Sequence, residues 1–214
     1  MAGAGLRVPT RIYRIIHADN LPSILGAGGI HAPNSTPPST APYMAIHHLS
    51  VQAQRAETRV PTGAQGVVHD YVPFYFNPRS PMLYAIHMGN VPGYSEGQRP
   101  IMVLVSSAQA IEAAPLDFVF TDGHSIMVLS RFYDDLGDLQ QIRWNVIWAQ
   151  YWTRFEDGSR LRQAEFMVHN FFPWNLVERI GVYDAGIKAQ VEAHLSKFPL
   201  LHQPPVEARR DFFF

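Results

Sequence analysis

The 214-residue sequence contains no cysteine. That absence excludes disulfides, thiolate nucleophiles and cysteine-ligated zinc. It suits a reducing compartment without requiring one. Lysine is nearly absent too: only Lys188 and Lys197 stand among 17 basic residues, so arginine carries the positive charge. Arginine suits bidentate phosphate contacts and stacking on bases, although GC-rich coding produces the same bias. No apolar run reaches the length of a membrane span, and the longest, around Ile101 to Val105, is strand-sized. The first residues, Met1 to Arg7, lack the apolar segment of a secretory signal. The expected localisation is therefore cytoplasmic, with no membrane partner. A net charge of −1 argues against holding duplex DNA by bulk electrostatics. No G-x-G-x-x-G follows a strand, and there is no P-loop or H-E-x-x-H; no G-x-S-x-G nucleophile elbow is indicated. The adjacent His47 and His48 diverge in any regular structure, so no metal site is expected.

What is present is ordinary globular material, 47% apolar and 16% charged, enough for one core. The expectation is one domain over 1–214, with 1–10 as an N-terminal extension and 204–214 as a C-terminal tail that docks through its phenylalanines. Arg11 to Ile16 reads as a strand. A short helix follows from Leu21-Pro22, capped by Asp19 or Asn20 and stopped by Gly26, Gly28 and Gly29. A loop rich in Pro, Ser and Thr runs from Ala32 to Pro42, and Leu49 to Thr58 reads as a short helix. Val67 to Phe76 reads as a strand in which Pro73 implies a bulge or an edge. Residues 77–82 read as a turn, Ile101 to Val105 as a buried strand, Ser107 to Ala113 as a helix and Phe118 to Thr121 as a strand. The spacing of Leu139, Ile142 and Val146 predicts a helix over Asp138 to Tyr151. Asp157-Gly158 is a turn. Glu165 to His169 and Leu176 to Tyr183 read as strands, and Ala185 to Leu195 as a closing helix. Strands and helices interspersed in this way imply an α+β class with a mixed central sheet flanked by helices.

Five constellations carry possible chemistry. Gln163-x-Glu165 opens a strand, and period-2 alternation puts both side chains on one face. A carboxylate there suits electrostatic stabilisation of an oxocarbenium-like cation; the plain alternative is a solvated strand edge, which spacing alone favours. His17, Asp19 and Asn20 lie at the mouth of the first strand, where a histidine can bond a ribose hydroxyl or simply satisfy the backbone. The aromatic run from Tyr71 to Tyr84 offers rings for a base or nicotinamide, or for the core. Arg55 and Arg59 stand at i, i+4 spacing, for phosphate or for solvent. Asp122-Gly123-His124-Ser125 is a turn that presents His124 to a ligand or only reverses the chain.

Taken together, these segments resemble the DarT family of DNA ADP-ribosyltransferase toxins, from about Arg11 to Tyr183. The carrying stretches are Ile12-Tyr13-Arg14-Ile15-Ile16-His17-Ala18-Asp19-Asn20-Leu21-Pro22-Ser23-Ile24-Leu25, Asp70-Tyr71-Val72-Pro73-Phe74-Tyr75-Phe76 with Ser80-Pro81-Met82-Leu83-Tyr84, Thr121-Asp122-Gly123-His124, and Arg162-Gln163-Ala164-Glu165-Phe166. The resemblance implies an ADP-ribosyltransferase fold with a split central sheet. It implies NAD as co-substrate without a metal, and transfer of one ADP-ribose to thymine in single-stranded DNA. It implies Glu165 and Arg55 as the catalytic pair, with Arg59 as the alternative arginine. It implies His17, Asp19, Asn20, Gly28, Tyr71, Met82 and His124 around NAD. The segment from about Arg154 to Leu161 would cover the acceptor, with Arg154, Arg160 and Gln163 facing DNA. A macrodomain antitoxin, DarG, is the implied partner. Two other readings remain open: an ADP-ribosyltransferase acting on RNA or protein, and a non-catalytic nucleic-acid-binding module of the same fold. The retained glutamate speaks against the second.

Overall fold

The computed structural model describes residues 5–37, 43–47 and 49–214. The Pro38-to-Pro42 half of the expected Pro-rich loop, and His48, lie outside the described residues. Among the described residues ten strands are formed: β1 (Arg11–His17), β2 (Gly29–His31), β3 (Tyr71–Tyr75), β4 (Ile101–Ser107), β5 (Phe118–Thr121), β6 (Phe132–Tyr133), β7 (Glu165–His169), β8 (Phe171–Pro173), β9 (Arg179–Val182) and β10 (Val206–Ala208). Eight of them make one sheet in the order β10-β9-β4-β1-β3-β7-β5-β6, and β2 pairs with β8 in a small second sheet. The sheet is mixed because β9 and β10 run parallel while the other ladders are antiparallel.

The large sheet is split at its centre. β1 pairs with β4 along its whole length, from Arg11 opposite Ser107 to His17 opposite Ile101. It meets β3 at one register pair only, Tyr13 opposite Tyr75. Beyond that rung the strands part, and Arg14 Nη1 reaches across to donate to the Pro73 carbonyl at 2.8 Å. This explains a proline in an interior strand. A strand residue's N–H and C=O point to the same side, so the donor that Pro73 lacks faces the gap and no ladder bond is lost. The expected bulge or edge is thus replaced by an internal edge, with Pro73 still paired to Met167 of β7.

Alternation on β3 does the rest. Val72, Phe74 and Phe76 enter the main core beside Phe120, Phe166 and Phe172, each such ring contributing roughly 1.5–3 kcal/mol by burial. Tyr71, Pro73 and Tyr75 face the cleft opened by the split. Gly29 begins β2 because its backbone lies against β8: a Cβ there would collide with the Phe172 carbonyl and the Phe171 ring.

The helices are α1 (Leu21–Gly26), α2 (Leu49–Glu57), α3 (Pro81–His87), α4 (Ala108–Ala113), α5 (Trp144–Ile147), α6 (Gly158–Leu161) and α7 (Ala185–Leu195). Helix α3 falls where a turn is expected over 77–82. Ser80 accepts from Leu83 N at 3.1 Å and Pro81 occupies the first turn, an ordinary helix start. The helix expected over Asp138 to Tyr151 is instead a 3₁₀ segment, Leu136–Gln141, a break at Ile142 and the short α5. Leu139, Ile142 and Val146 are all buried, so their spacing reports burial rather than one continuous helix. The first part of the expected strand over Val67 to Phe76 is a 3₁₀ turn, Val68–Asp70, and the strand expected from Leu176 begins only at Arg179. The string Gly93-Tyr94-Ser95-Glu96-Gly97 does spell G-x-S-x-G, but it lies in the turn region between α3 and β4, with no strand entering or helix leaving. Among the described residues no helix is long and apolar enough to cross a membrane. In the tail, Phe212 and Phe213 are buried against Tyr13 and Tyr183.

Candidate active site

The cleft at the split holds about 710 Å³, within the usual range for small-molecule sites. Strand β7 starts at Glu165, opposite Tyr75, so this carboxylate stands on the far wall of the split. It is only 2% exposed, which removes the solvated-edge alternative. Arg55, on α2 and also buried, donates through Nη1 to Glu165 Oε1 at 3.0 Å and Oε2 at 2.8 Å. Ser125 adds its hydroxyl to Oε1 at 3.0 Å and its backbone N–H at 3.4 Å. His124 Nε2 lies 3.9 Å from the same oxygen. The Thr121 hydroxyl accepts from Glu165 N and donates to the Gly123 carbonyl, which pins the 122–125 turn to the start of β7.

Electrostatics follow from that packing. Burial alone would raise the Glu165 carboxyl, but the Arg55 charge and the hydrogen bonds from Arg55 and Ser125 outweigh it and hold it below its ordinary value. Burial likewise holds the His124 imidazole below its ordinary value, against the pull of Glu165. Burial and then Glu165 push the Tyr75 phenol far up. The Tyr71 phenol, donating to the Gln65 carbonyl at 2.8 Å, is pushed up to about 12, by burial first. The floor of the cleft therefore carries an ionised carboxylate, a guanidinium paired to it, a neutral imidazole and two protonated phenols.

Of the expected site residues, the structure gathers Glu165, Arg55, Tyr71, Met82, His124 and Gln163 around one cleft. Gln163 does not share a strand with Glu165: it belongs to the turn after α6, where its Nε2 donates to the Ser159 carbonyl, and it still reaches the cleft wall. Arg59 lies beyond the end of α2 and is exposed, so only Arg55 meets the carboxylate. His17, Asp19, Asn20 and Gly28 are not among the lining residues. His17 is 1% exposed; its Nδ1 accepts from Asp19 N, and its Nε2 lies 3.4 Å from Glu96. Asp19 accepts from Gln190. Asn20 clamps Met44 by both backbone groups, at 2.9 and 2.8 Å, and so seats the Tyr43–His47 segment that walls the cleft. Gly28 makes the left-handed turn that closes α1 and accepts from Trp174 N. Arg160 is spent inside the protein, on Asp122 at 3.2 Å, Asp157 at 2.5 Å and Ser130 at 3.1 Å. Arg154 is exposed and stacks on Tyr151.

Tyr75 and Ser125 belong to constellations that the sequence offers but have no role of their own there, and Arg14 lies outside all five. Arg14 is the sharpest omission. It is a charged residue inside an apolar strand, which is itself a signal. It is half-buried, its Nε lacks a partner, and among the described residues it forms no ion pair with an acid. Arg55 is neutralised by Glu165, so Arg14 is the cleft's uncompensated arginine. Among the described residues no cluster of three or more His, Cys, Asp or Glu could hold a metal ion.

Comparison with known proteins agrees with this geometry. Residues 13–214 match the family model described as "ssDNA thymidine ADP-ribosyltransferase, DarT". A DNA ADP-ribosyl transferase of Thermus aquaticus is 49% identical over 212 residues, spanning 99% of this chain and 92% of the relative. Two solved structures of DarT from Thermus sp. 2.9 are similar, both 43% identical. The complex with ADP-ribosylated ssDNA superposes with a TM-score of 0.93 over 98% of this chain and 99% of that one. The complex with NAD+ superposes with a TM-score of 0.88 over 97% and 99%. With a split mixed sheet, a buried Glu165–Arg55 pair at its opening and these relatives across nearly its whole length, the chain belongs to the DarT family of single-stranded DNA thymidine ADP-ribosyltransferases.

Proposed function

We propose that the protein transfers one ADP-ribose from NAD to a thymine base of single-stranded DNA and releases nicotinamide. The observation that carries this reading is the buried Glu165 carboxylate, held ionised by Arg55 at the opening of the split sheet. The glycosidic bond from ribose to nicotinamide breaks, and its electron pair leaves with the already cationic ring, so no acid is required. Glu165 supplies the fixed negative charge that a developing ribosyl cation needs, in a site already desolvated. The acceptor nitrogen then forms the new bond to ribose and its proton passes to solvent, so each transfer releases one nicotinamide and one proton. Arg55 orients Glu165 and the incoming base.

The lining fits NAD chemically. The diphosphate brings negative charge, and Arg14 is the guanidinium left to receive it. Tyr71, Tyr75 and Met82 offer ring and thioether surface to nicotinamide or adenine. His124, neutral and beside Glu165, is placed to donate or accept a hydrogen bond from ribose. Gln163 and the exposed Arg154 are the proposed contacts to DNA; Arg160 drops out because its guanidinium is already paired. His17, Asp19, Asn20 and Gly28 support the wall from behind. A cytoplasmic site of action follows from substrates that meet inside the cell, and the family resemblance adds a macrodomain antitoxin, DarG, as the partner.

The test is transfer of labelled ADP-ribose from NAD to a thymine-containing single strand. Wild-type protein labels the strand; Glu165→Ala does not, while its melting transition stays cooperative. Labelling that survives in Glu165→Ala refutes the assignment.

A further inference from the structure

The lining of the cleft draws on two cores. Glu165 begins β7, whose Phe166 and Val168 lie in the main core. Met82 and Ala85 reach the cleft from α3, and Ile46 joins them. These three pack with a second, smaller core, in which Leu83 and Ile86 of α3 meet Tyr13, Val103, Phe212 and Phe213. Helix α3 is short, and the stretch 88–100 that follows it holds neither strand nor helix. Phe214 packs against it from the tail. The centre of that ring lies 5.1 Å from Tyr84, 5.9 Å from His87 one turn further along α3, and 6.3 Å from Trp152. The Arg79 guanidinium, just ahead of α3, covers the same ring at 4.7 Å.

Apolar contact fixes only roughly where a ring sits, whereas directional bonds in a buried place fix one position. Gln98 supplies them. Its side chain is 7% exposed. Its Nε2 donates to the Phe214 carbonyl at 2.5 Å, and its Oε1 accepts from Phe214 N at 3.0 Å. The same Nε2 lies 3.1 Å from Nδ1 of His87, the last residue of α3, which accepts when the ring proton is on Nε2. Arg210 Nη2 gives the Phe214 carbonyl a second donor at 3.0 Å. One buried amide thus ties residue 214 to the end of α3 and uses both of its polar atoms to do so. Such an amide is an unfavourable way to join two apolar surfaces, because every polar atom taken from water must be matched. What it adds is position. Gln98 does not line the cleft, so its influence there runs through Phe214, α3 and Met82.

We propose that Gln98 is a positioning residue for the reaction: by locking Phe214 against α3 it sets the spacing of Met82 and Ala85 from Glu165, and with it the fit of NAD. The brace acts on the α3 side of the cleft. Glu165 keeps its own support from Arg55 and Ser125. The proposal rests on NAD as the co-substrate and adds a residue outside the cleft on which NAD affinity depends.

The experiment compares wild type, Gln98→Met, Phe214→Ala and Phe214→Tyr in three measurements: NAD binding by calorimetry, initial rates of ADP-ribose transfer over a series of NAD concentrations, and hydrogen exchange at α3 and β7. Gln98→Met keeps the length of the side chain and deletes its hydrogen bonds to Phe214 and His87. Phe214→Ala deletes the ring. Both are expected to weaken NAD binding by about twofold to thirtyfold, the range for residues that act on a site without touching its ligand. The number of sites per chain stays the same, KM for NAD rises in step and kcat changes little. Phe214→Tyr, which keeps the ring, restores the affinity. Exchange quickens at α3 and not at β7. A general loss of stability gives another pattern: fewer sites per chain, unaltered Kd and KM, and faster exchange in both elements. That pattern overturns the proposal, and so do variants that bind NAD as wild type does. A wild type that binds NAD but transfers nothing to DNA refutes the transfer reading alone, and affinity and exchange still decide on Gln98. A wild type without NAD affinity overturns both.

Discussion

Arg55 touches both oxygens of Glu165, whereas Ser125 touches only Oε1. Oε1 is saturated by three donors, and Oε2 keeps a lone pair beyond its single bond to Arg55. Removing either partner exposes a different dependence. Arg55→Ala leaves a carboxylate 2% exposed without its cation, a change that costs about 3–5 kcal/mol of stability. Arg55→Ala/Glu165→Ala removes the stranded charge as well, and the double variant is expected to be more stable than the single Arg55→Ala. Urea denaturation of the four members of the cycle measures this.

The acid limb of the pH profile belongs to Glu165. Its folded pKa is depressed below the unfolded value of 4.5, so the stability it contributes is complete above about that pH and lost as pH falls through the lower folded value. Ser125→Ala removes a hydroxyl donor to the ionised form. The acid limb of kcat/KM for transfer therefore moves upward in pH, with Ser125→Thr keeping the wild-type position. A Ser125→Ala profile superimposable on wild type assigns Ser125 no part in holding the charge. His124 adds no limb near neutrality, because burial keeps its imidazole below the ordinary value and so neutral there.

Asn20 separates wall from chemistry. Its amide closes two hydrogen bonds with the Met44 backbone, and Asn20→Ala removes both, at about 0.5–1.5 kcal/mol each. The expected kinetic signature is a KM for NAD raised severalfold with kcat little changed, because the Tyr43–His47 wall loosens while Glu165 stays in place. Initial rates over a series of NAD concentrations decide the matter.

Arg160 and Arg154 part company. Arg160 is paired twice to acids and holds the 122–131 turn, whose His124 N also donates to the Arg160 carbonyl. Arg160→Ala is expected to lower the melting temperature by several degrees without altering the salt slope of oligonucleotide binding. Arg154→Ala is expected to do the reverse, lowering the slope by about 0.7 with little change in melting temperature.

How much of this was legible in the sequence depends on the residue. Strong local patterns carried through: β1, α4, β5, β7 and α7 stand where alternation, caps and β-branched runs imply. The docking of the tail followed from its phenylalanines. Glu165 and His124 were visible as polar residues at element ends. The stretch from Asp138 to Tyr151 misled, because a 3.6-residue spacing of buried side chains also arises from a 3₁₀ turn and a short helix packed on one core. Helix α3 was hidden by two prolines that read as a turn, although Ser80-Pro81 is also a cap and a first helical residue. The candidate site was partly hidden for a different reason. Whether a polar residue meets the cleft or a neighbouring group is decided by tertiary contacts: Asn20 hydrogen-bonds the Met44 backbone and Arg160 pairs with Asp122 and Asp157, while Arg14, inside a strand, lines the cleft.

The single rung between Tyr13 and Tyr75 makes the molecule two half-sheets on a common hinge. Beyond that rung Arg14 reaches across the seam to the Pro73 carbonyl. Widening the seam there breaks that bond and no further rung of the β1–β3 ladder, and what resists it is the core that Ile12 and Ile16 of β1 share with Val72 and Phe74 of β3. An anion that captures Arg14 from Pro73 loosens the tie at the moment it fills the gap. A ligand seated there would brace β1 against β3 in place of the rungs they lack. Hydrogen exchange at β1 and β3, slowed by NAD while β4 and β9 hold steady, is how that mechanical dependence would be read.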